Sequence, residues 1–369
     1  MPTSPLRPVR FGLVGRGWRA DFFLRLARQL PEHFSCAGIV TRDAAAGAAL
    51  EQSWGVPAFR DVAAMVRATS PELVVTSVSA DANADVLRAA VQQGLPVLAE
   101  TPPASTVAEL RSLWADVGAS GLVQVAEQHP FLPAVVALRG LLQRGVLGEV
   151  SAAQVSWTHG YHATALLRCL LGLGADPVTV QAVRVTAPVL EGPDRDGRPA
   201  SPQLQASGHT SALLATEGRV GGYDFTDGQW FHPLRRRHVV VRGSHGEVVG
   251  TSVRWSGADG VPHTAAVERW QTGLDGDLEG ADLDTLSWAG QLLYRNPHRG
   301  ARLSDEELAV AACLQATADW HRGDGPPPYP LADACQDQLL ALAVDRAVET
   351  GQAERTAVEP WAEQLRGPS

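Results

Sequence analysis

The sequence predicts an α/β protein built from an N-terminal doubly wound parallel sheet and a C-terminal α+β domain with a largely antiparallel open sheet. Three observations predict it. From residue 8 to about 126, short apolar runs alternate with amphipathic helical stretches, the pattern of parallel strands with helices on both faces. After 127 come successive strand-like segments separated by turn signals such as "EGR" and "GSHGE", which suit antiparallel pairing. Finally, 369 residues with 45% hydrophobic content are too many for one comfortable core, so the chain is divided into domains 1–126 and 127–369.

In the first domain the expected strands are "VRFGLVG", "SCAGIV", "ELVVTSV", "PVLA" and "LVQVA". Between them, "DAAAGAALEQSW" reads as a helix capped by Asp43, and "DANADVLRAAVQQG" as one closed by Gly94. The second domain opens with a helix through "LPAVVALRGLLQRG", the strand "EVSAAQVSWTH" and a short helix "HATALLRCLLG". The strand-like segments that follow are "VTVQAVRVTAPV", "HTSALLATEG", "RVGGYDFT", "RHVVVRG", "GEVVGTSVRW" and "HTAAVERW". Helices "SDEELAVAACLQATADWHRG" and "PLADACQDQLLALAVDRAVETG" come last, and "EGPDRDGRPASPQ" reads as a surface loop.

Composition excludes several classes of function. A net charge of -9 and a pI near 5.7 oppose nucleic-acid binding, which needs clustered cations, and favour small-molecule partners. "MPTSPLRPVR" carries no apolar signal core, and no apolar run reaches bilayer-spanning length, so a soluble cytoplasmic protein without membrane partners is expected. Cys36, Cys169, Cys313 and Cys335 lie far apart without metal-ligand spacing, and no metal site or disulfide framework is expected. All 31 basic residues are arginine. A guanidinium stays protonated at any useful pH, so no basic side chain can take the part of a catalytic lysine.

"VRFGLVGRGWRA" sets Gly15, Gly17 and Ala20 in a GxGxxA pattern between the first strand and first helix. The first glycine permits a tight turn, the second lets backbone approach a pyrophosphate, and the small third residue allows close helix–strand packing. This context predicts a Rossmann dinucleotide site. At the end of the second strand, "VTRD" offers Thr41 and Arg42, which lean toward the 2′-phosphate of NADP, with NAD as the alternative. Arg42 could equally stack on adenine or face solvent.

With the glycine turn stand "AETPP" at the fifth strand, "GYH" opening a helix in the second domain, "LQRGVLGEV" at the domain crossover and "LADACQDQLLALAVDRAVETG" near the end. Together these residues resemble the Gfo/Idh/MocA oxidoreductase family. The resemblance implies an NAD(P)-dependent oxidoreductase whose cofactor surface comprises Gly15, Gly17, Trp18, Arg19, Thr41, Arg42, Val78, Ser79, Asn83, Glu100, Thr101 and Gln128. Departures from the family pattern sit at its acid/base positions. Glu100, Thr101 and Pro102 stand where Glu-Lys-Pro is usual, Thr158 replaces an aspartate, and Asn83 replaces a frequent histidine. Only His162 remains in register.

Hydride transfer requires a proton to move at about the same time, and a positioned acid/base contributes roughly 10²–10⁴-fold. His162 is the first candidate for that role, since imidazole titrates near neutrality, and Tyr161 is the second. A histidine at a helix start can also be only a capping or buried residue. Candidate substrate contacts are Trp157, His129, Gln229, Trp230 and Asn296. The expected reaction is hydride transfer with a sugar-like or other carbonyl or imine compound. A cofactor-retaining glycosidase or lyase, and a redox-silent nucleotide- or ligand-binding protein, are the alternatives. A homo-oligomer, dimer or tetramer, through the second-domain sheet is expected.

Overall fold

Val9, Phe11, Leu13 and Val14 of the first apolar run are all buried, and a strand buried on both faces belongs in the middle of a parallel sheet. In the computed structural model, which describes residues 7–274, 276 and 279–366, that run is β1 (Val9–Val14). It lies between β2 (Phe34–Val40) and β4 (Leu73–Thr76), and pairs with both in parallel. With β3 (Ala58–Phe59), β5 (Val97–Ala99) and β6 (Val123–Val125) the sheet order is β3-β2-β1-β4-β5-β6. The order reverses between β1 and β4, so a crevice opens beyond their carboxyl ends.

The chain forms two compact units that are discontinuous in sequence. The first comprises residues 1–133, 271–283 and 296–335; the second, residues 134–270, 284–295 and 336–369. Helices α1 (Trp18–Gln29), α2 (Ala44–Trp54), α3 (Val62–Thr69), α4 (Ala80–Val91) and α5 (Val107–Val117) connect the parallel strands. Asp43 caps α2 through the backbone N–H groups of Ala45 and Ala46. A late helix, α8 (Asp305–Arg322), belongs to this first unit and starts at a capping box of Ser304 and Glu307. Three ion pairs fasten it to the earlier chain: Arg19 to Glu306 at 2.8 Å, Arg25 to Glu307 at 2.9 Å, and Arg322 to Glu72 at 2.6 Å.

In the second unit, α6 (Pro133–Gln143) leads to β7 (Val150–Ser156), α7 (Gly160–Leu171), β8 (Thr179–Leu190), β9 (Leu204–Thr216) and β10 (Arg219–Thr226). Then come β11 (His238–Gly243), β12 (Gly246–Val249), β13 (Ser252–Ser256), β14 (Pro262–Thr272), β15 (Asp282–Trp288) and β16 (Gln291–Arg295). Helix α9 (Leu331–Thr350), β17 (Glu354–Arg355) and α10 (Ala362–Arg366) end the chain. The sheet runs β16-β15-β14-β13-β12-β11-β7-β10-β9-β8-β17, mostly antiparallel, with β7 and β10 a parallel pair. Two corrections to the expected strands follow. "GEVVGTSVRW" is not one strand but two, because Gly250 adopts φ 61° and turns the chain. Strands β15 to β17 were not expected, since no alternating apolar run marks them.

Register sets the two faces of the β8–β9–β10 ribbon. Val180, Leu214 and Gly221 form one cross-strand row, followed by Ala182, Ala212 and Tyr223 on the same face. Helix α7 covers them; a Cβ added at Gly221 would lie 3.4 Å from Leu167 and Leu171. Val183, Val185, Leu213 and Val220 point to the opposite face and are exposed. No helix among the described residues is long and apolar enough to cross a membrane.

Candidate functional site

The glycine turn after β1 is shaped against the end of β4. Gly15 has φ 106°, and a Cβ there would sit 2.0 Å from the Ser77 carbonyl oxygen, so no other residue fits. Gly15 N donates to Val40 O at 2.9 Å, and Gly17 N to Ser77 O at 3.4 Å. Helix α1 then begins at Trp18 with no side-chain cap. Its first-turn N–H groups and positive dipole end therefore suit an anionic oxygen. Val78 adjoins the turn, its Cγ1 2.9 Å from the Gly15 Cβ position, and Ser79 is exposed at the uncapped start of α4. These features fit a dinucleotide pyrophosphate.

Beyond β2, Thr41 is buried and its carbonyl accepts from Arg60 Nη1 at 3.0 Å. Arg42 is exposed, and Arg16 lies 3.9 Å from Asp43. Three guanidinium groups thus gather at this strand end. Arg60 and Arg16 were missed from the sequence: Arg60 comes from a loop after the two-residue β3, and no local motif ties it to Thr41.

Two expected cofactor residues brace the unit itself. Arg19 stacks over Trp18 at 4.7 Å and Phe22 at 4.6 Å while pairing with Glu306. Trp18 remains 39% exposed, held edge-on to Phe22. Gln128 is buried, its amide placed to donate to Ala126 O at 3.1 Å and accept from Arg19 at 3.2 Å.

Asn83 is fully buried in a network that shapes the Glu100–Pro102 turn. Its amide donates to Glu100 O at 2.7 Å and Pro102 O at 3.1 Å, and its oxygen accepts from Thr76 Oγ1 at 3.0 Å. Thr76 Oγ1 in turn accepts from Glu100 N at 2.9 Å. Thr101 is half-buried, with both its N–H and its hydroxyl directed to Glu100 Oε1, at 2.9 and 3.3 Å. Further on, His129 Nδ1 lies 2.7 Å from the fully buried Glu127 carboxylate.

Asn296 also lies in the first unit. It is buried, its amide donating to Leu283 O and accepting from His298 N, both at 2.8 Å. Both ends of that amide are engaged within the unit.

In the second unit, the turn from β7 into α7 carries Trp157, Thr158, His159, Tyr161 and His162. His162 is half-buried in the first turn of α7, its ring 5.4 Å from Tyr161 and 5.9 Å from His159, edge-on to both. Tyr161 is buried, Trp157 half-buried, and His159 stacks on Trp230 at 4.5 Å. Gln229 is buried and braces the loop after β10: its amide donates to Ser156 O and Oγ at 3.0 Å and to Arg236 O at 3.1 Å, and accepts from Thr226 N. Trp230, next to it in the same loop, is half-buried. The unit therefore gathers imidazoles capable of proton exchange beside aromatic faces.

Residues 9–128 match the model of an oxidoreductase family with an NAD-binding Rossmann fold. The matching model is that of the Gfo/Idh/MocA family, and it covers about a third of the chain. The fold of the whole chain is found in solved oxidoreductases. An oxidoreductase of Agrobacterium radiobacter, in complex with NAD+, L-tartaric acid and magnesium, aligns with TM-score 0.69 at 16% identity over 94% of this chain and 98% of its own. Levoglucosan dehydrogenase, in complex with NADH and levoglucosan, aligns with TM-score 0.66 at 15% identity over 95% and 99%. The WlbA dehydrogenase of Bordetella pertussis, in complex with NADH and UDP-GlcNAcA, aligns with TM-score 0.63 at 16% identity over 96% and 100%. No curated protein matches the sequence.

Proposed function

We propose that the protein is an NAD(P)-dependent oxidoreductase that moves a hydride to or from a small sugar-like or other carbonyl or imine compound, with His162 as its proton carrier. The observation that carries this reading is the Gly15 turn, closed to any side chain by Ser77 and followed by an uncapped helix, in a segment of this family. A bound dinucleotide would supply the hydride acceptor or donor. This chain's residues supply the rest: the turn and α1 hold the pyrophosphate, and Glu100 with Thr101 orients groups near β5. In the oxidation direction, the imidazole of His162 takes the proton from the substrate hydroxyl as the hydride leaves carbon; reduction returns it. Tyr161, adjacent but buried, is the second candidate for that step.

Levoglucosan and UDP-GlcNAcA in the NADH-bound neighbours support a sugar as the substrate. Arg42, joined by Arg60 and Arg16, supports a preference for NADP. The exposed apolar row of Val183, Val185 and Leu213 supports a homo-oligomer through the second unit's sheet. The reading is tested by a sugar panel followed through nicotinamide absorbance, comparing the protein with His162→Asn. Turnover whose kcat/KM depends on a group titrating between about pH 5.5 and 8, lost in the variant while dinucleotide affinity stays, is expected. An unchanged rate and pH profile in the variant overturns the role of His162. Absence of turnover with every sugar, and with a matching panel of other carbonyl and imine compounds, under both dinucleotides overturns the oxidoreductase reading.

A further inference from the structure

At the amino ends of β1, β2 and β4, the first unit holds a cleft of about 730 Å³. Arg7, Pro8 and Arg10, where the chain enters β1, line one part of it; Ser70, Pro71 and Glu72, where it enters β4, line another. His321 and Arg322, at the end of α8, complete it. The volume falls within the usual range of small-molecule sites. The glycine turn lies at the carboxyl ends of the same strands, where Gly15 meets Ser77, so a ligand in this cleft leaves the dinucleotide crevice untouched.

The charge of this lining is the reverse of the chain's. The protein carries a net charge of -9, yet the cleft gathers three guanidinium groups and an imidazole against one carboxylate, that of Glu72. Arg322 engages Glu72 through two bonds, at 2.6 and 2.8 Å. Asp319 and Asp324 also act on Arg322, but neither lines the cleft. Arg322 donates in addition to the carbonyls of Arg7 and Pro8, at 3.3 and 3.4 Å, which fixes the segment entering β1. Arg10 donates from Nε and Nη2 to Thr69 O, at 3.2 and 2.7 Å. That partner is a neutral carbonyl at the end of α3, and the partial charge of a helix end offsets only part of a guanidinium. No carboxylate of the lining remains to answer Arg7 and Arg10, and like charges in one cleft repel until an anion lies between them. Ser70, in the same lining, has φ 46°, a left-handed conformation that strains a serine and not a glycine. Strain of this kind clusters at functional sites.

We propose that this cleft binds a phosphate monoester, its dianion set between Arg7 and Arg10 and its organic body against Pro8, Pro71 and Leu95. Two guanidinium charges match a dianion, and phosphate oxygens suit the fork of a guanidinium. The imidazole of His321 adds a further polar group at the rim. A cation would meet like charge here, a neutral ligand would leave both arginines unanswered, and an apolar one would strip their water without replacing it. A compound bound in this way ties the entries of β1 and β4 to the end of α8. It stabilises the first unit by mass action while taking no part in hydride transfer.

The test is a calorimetric titration of the full chain with glycerol 3-phosphate and with orthophosphate, using glycerol as the neutral control, in the presence and absence of excess NADPH. Binding of glycerol 3-phosphate at one per chain, no binding of glycerol, an affinity unchanged by NADPH, and a loss of about tenfold or more in Arg7→Ala and Arg10→Ala are expected. Arg7 is exposed and lies outside helix and strand, so Arg7→Ala keeps the test valid should Arg10→Ala, which removes the bonds to the end of α3, fail to fold. No binding of either phosphate compound, or unchanged affinity in a folded variant, overturns the site. Displacement of the phosphate compound by NADPH overturns it as well, since the anion then sits at the glycine turn. The proposed function fails separately: phosphate binding that needs Arg7, in a chain that binds no dinucleotide, keeps this site and removes the oxidoreductase.

Discussion

Thr101 directs its hydroxyl to Glu100, and the turn that carries both is pinned from below by Asn83. A threonine has no second charge state in the working pH range, so at this position it orients its neighbours and transfers no proton. The buried amide of Asn83 is what fixes the turn. Asn83→Ala should leave Glu100 O, Pro102 O and Thr76 Oγ1 short of a partner, and cost about 1–3 kcal/mol in urea unfolding. A loss below about 0.5 kcal/mol would show that water replaces the amide. The bracing role of Asn83 was not legible, because its partners are 17 and 19 residues away and meet it only when β4 and β5 pair. The loop-bracing bonds of Gln229 and Asn296 were hidden for the same reason: a polar side chain that faces a ligand and one that ties a loop look alike in sequence.

His298 gives a pH prediction at the same scale. Burial, with His33 beside it, pushes its pKa from 6.5 down to about 4, against the pull of Glu32. Its folded pKa is depressed, so the unfolded chain binds the proton more readily between these values. The stability this residue confers is present above about pH 6.5 and is lost as pH falls toward 4, with a total on the order of 2–3 kcal/mol. Urea midpoints measured across that window should fall with pH, and His298→Phe should flatten the slope. An unchanged slope in the variant would place the titration elsewhere.

Among the elements, the parallel strands and Asp43 cap were legible because each depends on neighbours in sequence: an apolar run, a cap residue, a glycine. The glycine turn belongs here as well, since its spacing reports a conformation that only glycine adopts. Gly15→Ala forces a Cβ into the Ser77 carbonyl at a positive φ. It should abolish detectable dinucleotide binding, or lower the melting temperature by several degrees as β1 and β4 separate. Normal affinity and stability in that variant would mean that the turn is not the phosphate cradle. The placement of α8 was not legible. Its tethers, Arg19–Glu306, Arg25–Glu307 and Arg322–Glu72, join residues some 250 to 287 positions apart. Strand β15 escaped notice because Asp282, Asp284, Thr285 and Ser287 interrupt its apolar pattern, and β16 because none of its five side chains is buried.

For the whole molecule, the sequence carried the division into a parallel and a mostly antiparallel part, because the periodicity of apolar residues changes along the chain. It did not carry the return of late residues to the first unit, which depends on tertiary pairing such as Val125 N with Tyr329 O at 2.8 Å. The family match is confined to the dinucleotide domain, and the proposed reaction rests on the same domain. The most direct test is isothermal calorimetry of the full chain with NADPH, NADH and their oxidised forms. One dinucleotide per chain at micromolar affinity or tighter, about 8 kcal/mol, with NADP(H) ahead of NAD(H), is the predicted result. Absence of binding for all four would contradict the account.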